Sequence, residues 1–296
     1  MSTRVAARFP ISHIDRLSQK KKRTRPVTVI QASKGLFDLD LQALWEYRDL
    51  FYFLVWRDIK ARYAQSILGI GWAVIQPVFS MLVFTVIFGR LAKITSDGLP
   101  YAIFSYAALV PWTFFSNSVS DATGSLIKNA NMLQKIYFPR LIIPMTTVLG
   151  KLIDFCIALF LLILLMFWFR IPPTIWVLTL PFLVLIMILS AAGLGMWLTA
   201  LSIQYRDINY GKGFAIQLLM YSVPVVYPAS IIPDQYRLLY GLNPMVGVIE
   251  GFRSSLLGAR PMPWDLITIG TISAIILFFS GMVFFRCKER TFADVA

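Results

Sequence analysis

Histidine is almost missing from this sequence, with His13 alone, and cysteine occurs only at Cys156 and Cys287. So few ligands exclude a zinc centre built from several of them, and equally a disulfide framework. Charge is scarce too: 15% of the 296 residues are Asp, Glu, Lys or Arg. At a mean hydropathy of +0.68, a soluble domain could not hide the apolar remainder. There is no G-x-x-x-x-G-K-[ST] loop to cradle nucleotide phosphates and no H-E-x-x-H metal helix. Only Asp154 among the fifteen acidic residues falls deep in an apolar stretch, which leaves no pair of membrane carboxylates for acid–base catalysis or a proton relay. Enzyme and proton-driven pump both lose ground, and no catalytic, metal or cofactor site is expected on this chain.

What is abundant is apolar surface: 57% of the residues belong to the set A, V, I, L, M, F, W, Y and C. A bilayer core needs about 20 apolar residues per helical crossing. Six stretches have that length, at 71–91, 102–122, 145–169, 174–201, 214–233 and 264–286. Pro181, Pro224, Pro228 and Pro233 blur the ends of the fourth and fifth. Basic residues resist crossing, and they are distributed unevenly: twenty-one of the 28 Lys and Arg fall on the side holding residues 1–70, 123–140, 202–213 and the C-terminal tail, against six on the other. This bias predicts a multi-pass membrane protein with both termini cytoplasmic. No apolar run of signal-peptide length occurs in the first 34 residues, so the first span is expected to act as the insertion signal.

The chain divides into a basic cytoplasmic arm (1–40), an amphipathic interface helix (41–68), a six-span domain (69–290) and a short cytoplasmic tail (291–296). The cluster Lys20, Lys21, Lys22, Arg23 and Arg25 suits anionic lipid and topology control. No interleaved aromatics or motif supports nucleic acid. In the interface helix, Trp45, Trp56, Ile59 and Tyr63 lie on faces other than those of Glu46, Asp49, Arg57 and Lys60, so the helix is expected to lie along the membrane surface. Gly69 and Gly71 then allow a sharp turn into the first span. Residues 126–140 read as about a dozen helical residues stopped by Pro139, with Met132, Leu133 and Ile136 at helical spacing. That is either a surface-lying connector or a docking element for a soluble partner.

Between the fifth and sixth spans, Asp234 can cap a short helix ended by Gly241. Asn243 and Pro244 have N-cap and first-turn chemistry for a second helix closed by Gly258. At about 21 Å this second helix is too short to span. It carries Val246, Ile249, Phe252 and Leu256 on one side and Glu250 with Arg253 on another. The expectation is a helical hairpin dipping into the outer leaflet, against the alternative of a folded cap on the surface. Within the third span, Lys151 and Asp154 are spaced to share a face and neutralise each other. Aromatics make up 15% of the chain. Most belong to lipid-facing or interfacial positions, and a few could offer flat faces to sugar rings along a central path.

Five strings in order, LWEYRDLFYFLVWRDIKARYAQSILGIGWAVIQP (44–77), YFPR (137–140), YRDI (205–208), SVPVVYP (222–228) and LNPMVGVIEGFRSSLLG (242–258), resemble the permease subunits of type-2 ABC transporters that export O-antigen, capsule or teichoic acid polysaccharides. The resemblance covers about residues 40–290. It implies an all-α homodimer of six-span subunits above two cytoplasmic ATPase subunits, which would hold ATP and Mg. The cargo would be a glycan on an undecaprenyl-type lipid. The resemblance makes Lys128, Met132, Leu133, Lys135, Ile136, Tyr137, Phe138 and Arg140 an ATPase-coupling helix, with Arg206 and Asp207 at the next cytoplasmic turn. It makes Asn243, Pro244, Glu250 and Arg253 part of a re-entrant gate. Trp112, Phe115, Tyr221 and Tyr227 are candidates for the substrate path. The rival readings are the same transporter class with a drug or lipid cargo, and a membrane-embedded enzyme or scaffold of glycan synthesis.

Overall fold

The computed structural model describes residues 45–64 and 71–289; the basic arm, the flanks of the interface helix at 41–44 and 65–70, and the tail lie outside the described residues. Among the described residues the secondary structure is helical, without strands. A surface helix α1 (Arg48–Tyr63) precedes α2 (Gly71–Phe84), which continues as a π-helical stretch (Thr85–Leu91). Then come α3 (Tyr101–Thr123), two single turns α4 (Ser125–Lys128) and α5 (Ala130–Leu133), and α6 (Ile142–Leu149) with α7 (Leu152–Phe169). The second half holds α8 (Leu180–Gln204), led in by a 3-10 turn (Ile175–Thr179), then α9 (Asp207–Tyr221), α10 (Asp234–Gly241), α11 (Pro244–Leu257) and α12 (Trp264–Glu289).

Four helical stretches are long and apolar enough to cross a membrane: Gly71–Leu91, Ile142–Phe169, Ile175–Gln204 and Trp264–Glu289. They coincide with four of the expected spans. The expected second span is α3, which has the length but carries Ser105, Ser116, Asn117, Ser118, Ser120 and Asp121. It tolerates them because it is the central helix, packed against α2, α6, α7, α8 and α11. The expected fifth span, 214–233, is corrected. Its helix is α9, of 15 residues, and it ends at Tyr221. Pro224 and Pro228 cannot continue a helix, so SVPVVYP runs as irregular backbone with Val223, Val225 and Val226 buried. Buried irregular backbone needs partners for its carbonyls, and a buried arginine supplies them.

Between apolar helices in lipid the hydrophobic effect gives no net attraction, so close packing of small residues must hold them. On α8, a Cβ at Gly193 would meet the Leu277 carbonyl of α12 at 2.7 Å, and on α11 one at Gly247 would meet the Leu266 carbonyl at 2.6 Å. Both contacts require glycine. Polar contacts gather the loops at two ends. At one end Arg57 bonds Asn129, Arg140 bonds the Glu289 carbonyl, and Lys288 bonds Gln204. At the other, Arg260 pairs with Asp97, Arg237 with Asp265, and Thr174 with the Ser255 carbonyl.

Candidate coupling surface and buried charge clusters

The expected coupling helix is not one helix. Its residues form α4 and α5, joined at Asn129, and then an irregular run to Arg140. Asn129 turns its side chain back to the Ser125 carbonyl at 2.8 Å, a local bond that competes with helix propagation. Leu126 and Phe138 are buried and anchor the two ends. Phe138, expected as a contact for the partner, is therefore a tether to the helical body. Met132 and Leu133 pack partly against the core. Lys128, Lys135, Ile136 and Tyr137 are exposed, with Ile136 at 53% and Tyr137 at 69%. These exposed side chains between the two tethers form a knuckle on the surface. Arg206 and Asp207 are also exposed, at the turn between α8 and α9. Arg140 is held by the Glu289 carbonyl at 3.5 Å.

On α1 the polar and apolar faces are used in reverse of a soluble helix. Leu54 is its one buried residue, while Trp45, Tyr52, Phe53 and Trp56 are exposed. Arg57 turns toward the body, donating to Asn129 Oδ1 at 2.7 Å, to Met132 Sδ at 3.5 Å and to its neighbour Asp58. Arg62 pairs with Asp154 at 2.6 Å, and the Tyr63 hydroxyl also donates to Asp154. Burial, reinforced by that carboxylate, pushes the Tyr63 hydroxyl up to about 12, so it keeps its proton and remains a donor. The outward aromatic face suits a headgroup layer.

These contacts replace the expected pairing of Lys151 with Asp154. Lys151 instead pairs with Asp121 of α3 at 2.7 Å. The helix is interrupted at Gly150 and Lys151, between α6 and α7, so the two charges leave the chain on either side of a break rather than along one ideal face. Lys151 is 8% exposed and turns inward; Asp154, in the first turn of α7, turns to α1. Arg62, Tyr63 and Asp121 are thus residues of this network that spacing along one helix did not reveal. The weak signal for Arg62 and Tyr63 was their position in the last turn of α1, just before the first apolar stretch.

At the far end, Asn243 caps α11 by accepting from Met245 N at 3.1 Å, Pro244 follows in the first turn, and Gly258 closes the helix in the left-handed region at φ 66°. Asp234 is the first residue of α10 rather than its cap. The α11 residues Met245–Leu257 are buried throughout, on the Glu250 and Arg253 side as well as on the apolar side, because α3, α8 and α12 enclose it. Glu250 and Arg253 pair at 2.9 Å. Arg253 also donates to the carbonyls of Val225, Tyr227 and Phe104 and lies over the Phe104 ring at 3.6 Å. Glu250 accepts from Ala229 N at 3.1 Å, and the Tyr101 hydroxyl donates to the Val226 carbonyl at 2.6 Å. One guanidinium fork thereby supplies the donors that the broken segment after α9 needs.

The four path candidates are not brought together. Trp112 and Phe115 pack on one another at 5.6 Å and are both buried inside this chain. Tyr221 is exposed, and Tyr227 is half-buried, donating to the Tyr221 carbonyl while accepting from Tyr240. Among the described residues there is no group of three or more His, Cys, Asp or Glu that could hold a metal ion.

Comparison with known proteins bears on this arrangement. The O-antigen export system permease protein RfbA of Myxococcus xanthus is 29% identical over 257 residues, covering 86% of this chain and 98% of that protein. The RfbA permease of Klebsiella pneumoniae is 25% identical over 248 residues, 83% of this chain and 95% of its own. The polysialic acid transport protein KpsM of Escherichia coli is 22% identical over 243 residues, 79% and 91% of the two chains. The family model described as ABC-2 type transporter matches residues 49–257, a range running from α1, with its inward arginines, to the end of the buried α11; the chain belongs to the ABC-2 type transporter family.

Proposed function

We propose that this chain is the path-forming membrane subunit of an ATP-driven exporter of lipid-linked polysaccharide. It would act as a homodimer with two cytoplasmic ATPase subunits that carry the ATP and Mg, in the bacterial inner membrane, with both termini cytoplasmic. The relatives are named for O-antigen export and polysialic acid transport, which supports a glycan cargo over a drug or a simple lipid. In this reading α3, and α9 together with the irregular run that follows it to Pro228, join the four apolar stretches to make six spans. The sorting of loops to two ends supports that count, since residues 45–64, 124–140 and 205–207 meet at one end and Asp97, Arg260 and Arg237 lie at the other.

The observation that carries the reading is the exposed knuckle at Lys135, Ile136 and Tyr137, held between buried Leu126 and Phe138. Motion of a soluble partner against it would reach α1 through Arg57 and Asn129, and then α7 through Arg62 and Asp154. The α10–α11 hairpin, with its N-cap and its Glu250–Arg253 pair, is read as a re-entrant outer gate. A second copy finds support in α9, which buries none of its residues within the chain and exposes Tyr210, Phe214, Leu218 and Tyr221.

The test is reconstitution in proteoliposomes with the ATPase and a lipid-linked glycan. ATP-dependent appearance of the glycan on the far side is the expected result. Glycan movement by this chain alone, indifferent to nucleotide, would overturn it. Turnover of a lipid-linked sugar without transport would favour the enzyme reading instead.

A further inference from the structure

We propose that the cavity enclosed by α1, α2, α3 and α7 is a binding site for a single pyranose ring, the membrane-proximal sugar of the lipid-linked glycan; this rests on the cargo reading above. The cavity holds about 170 Å³, far more than the roughly 30 Å³ share of one water. It is part open and lies beside the ends of α1 and α7 where Arg62 and Asp154 meet. Its lining mixes two chemistries. Thr113 and Asn117 stand a turn apart on α3, and Gln76 of α2 lines the same cavity. None of these three side chains makes a hydrogen bond within the described protein, although each sits inside a helix of the membrane domain. Gln76 is exposed and Thr113 and Asn117 are half-buried, so their amides and hydroxyl are open to hydrogen bonding by a ligand that enters the cavity. The lining is aromatic as well: the exposed Trp72 borders the cavity, and the buried Phe114 and Phe155 back it, edge to face at 5.8 Å.

A ring with hydroxyls around its edge and C–H groups on its faces suits both kinds of lining. The charges at the cavity argue against an anion as the recognised group. Arg62 is paired with Asp154, and Lys151 with Asp121, so two cations and two carboxylates cancel. A phosphate would have to displace a carboxylate from its partner, whereas sugar hydroxyls can bridge paired ions and the free amides without breaking them. The site also lies beside α1, whose Arg57 reaches the coupling segment at Asn129 and Met132. Sugar seated here would therefore touch the same helix that the ATPase is proposed to move.

The site is tested in the intact complex in membranes, with Cys156 and Cys287 replaced by serine, since both are exposed. A73C and, separately, T113C then report the cavity by their rate of maleimide labelling. Two strains are compared, one that makes the lipid-linked glycan and one that lacks the transferase placing the first sugar phosphate on the carrier monophosphate, its membranes being supplied instead with bare polyprenyl diphosphate. Slower labelling, by roughly fivefold as for a mostly occupied site, is expected only where the sugar is present, and adding N117A to A73C should abolish the protection. Equal labelling in both strains at both reporters would overturn the site. Equal protection in both strains would overturn it as well, by assigning the cavity to the carrier's diphosphate or lipid chain. The cargo reading fails on a different readout: a strain without this chain that still displays normal surface glycan.

Discussion

At the residue scale, buried charges are governed by who stands opposite them. Arg253 is 3% exposed and satisfies Glu250 and three backbone carbonyls at once. Removing one partner of a buried pair typically costs about 3–5 kcal/mol, because the other is left charged and unpaired. R253A is thus expected to lower the thermal midpoint of the purified protein strongly. R253K should recover only part of the loss, since lysine keeps the charge but cannot fork across Val225, Tyr227 and Phe104. The pairing of Asp154 gives a second prediction. D154N should be suppressed by R62Q and not by K151Q, with a coupling of about 0.5–3 kcal/mol between Arg62 and Asp154 in a double-mutant cycle of thermal stability. Dominant coupling to Lys151 would reinstate the pairing that spacing along the third span suggested. Reading the sequence identified Asp154 and Lys151 as the charges inside that span. It could not identify their partners, because those come from α1 and α3, more than 25 residues away along the chain in each case.

At the element scale, small residues decide which helices touch. G193A should destabilise by about 1–3 kcal/mol, the usual cost of forcing extra volume into a packed interior, because the new Cβ meets the backbone of α12 at Leu277. G213A on α9 has nothing within 4 Å of the added carbon. There the higher helix propensity of alanine, up to about 1 kcal/mol, should leave the isolated subunit neutral or more stable. Comparing the two thermal midpoints checks packing against propensity in one experiment. The coupling segment shows the limit of periodicity at this scale. Met132, Leu133 and Ile136 recur as on a helix, but Asn129 bonds back to Ser125, and tethering at Leu126 and Phe138 favours two single turns and a loop. The caps of α11 were fully legible, since Asn243, Pro244 and Gly258 act through their own backbone neighbours. The end of α9 was half legible: Pro224 and Pro228 forbid a continuous helix, yet the apolar run hid where it stops.

For the whole molecule, the exposed surfaces are where the proposed assembly is tested. K135E is expected to reduce copurification of the ATPase with this chain, and unchanged yield would move the docking surface away from the knuckle. The exposed face of α9 predicts its own outcome in membranes. F214C should form a disulfide-linked dimer under mild oxidation, whereas I276C, on the exposed face of α12, should not. The reverse result would place the second copy against α12. The aromatic path is also a question of the whole molecule. Trp112 and Phe115 are buried between helices of one chain, so any sugar-facing aromatic surface must come from residues that stay accessible, such as Trp72 and Tyr221.

Composition and linear order alone determined that this chain is a multi-pass membrane protein and where α11 begins and ends. Each of these follows from properties summed along the chain or from bonds between near neighbours. The exchange of partners among Arg62, Asp121, Lys151 and Asp154, the inward turn of the α1 arginines, the burial of Trp112 and Phe115, and the cavity between α1 and α7 were decided only by tertiary structure. They depend on how each helix is rotated about its axis and how closely glycines let it approach the next, and hydropathy is nearly the same for every such rotation.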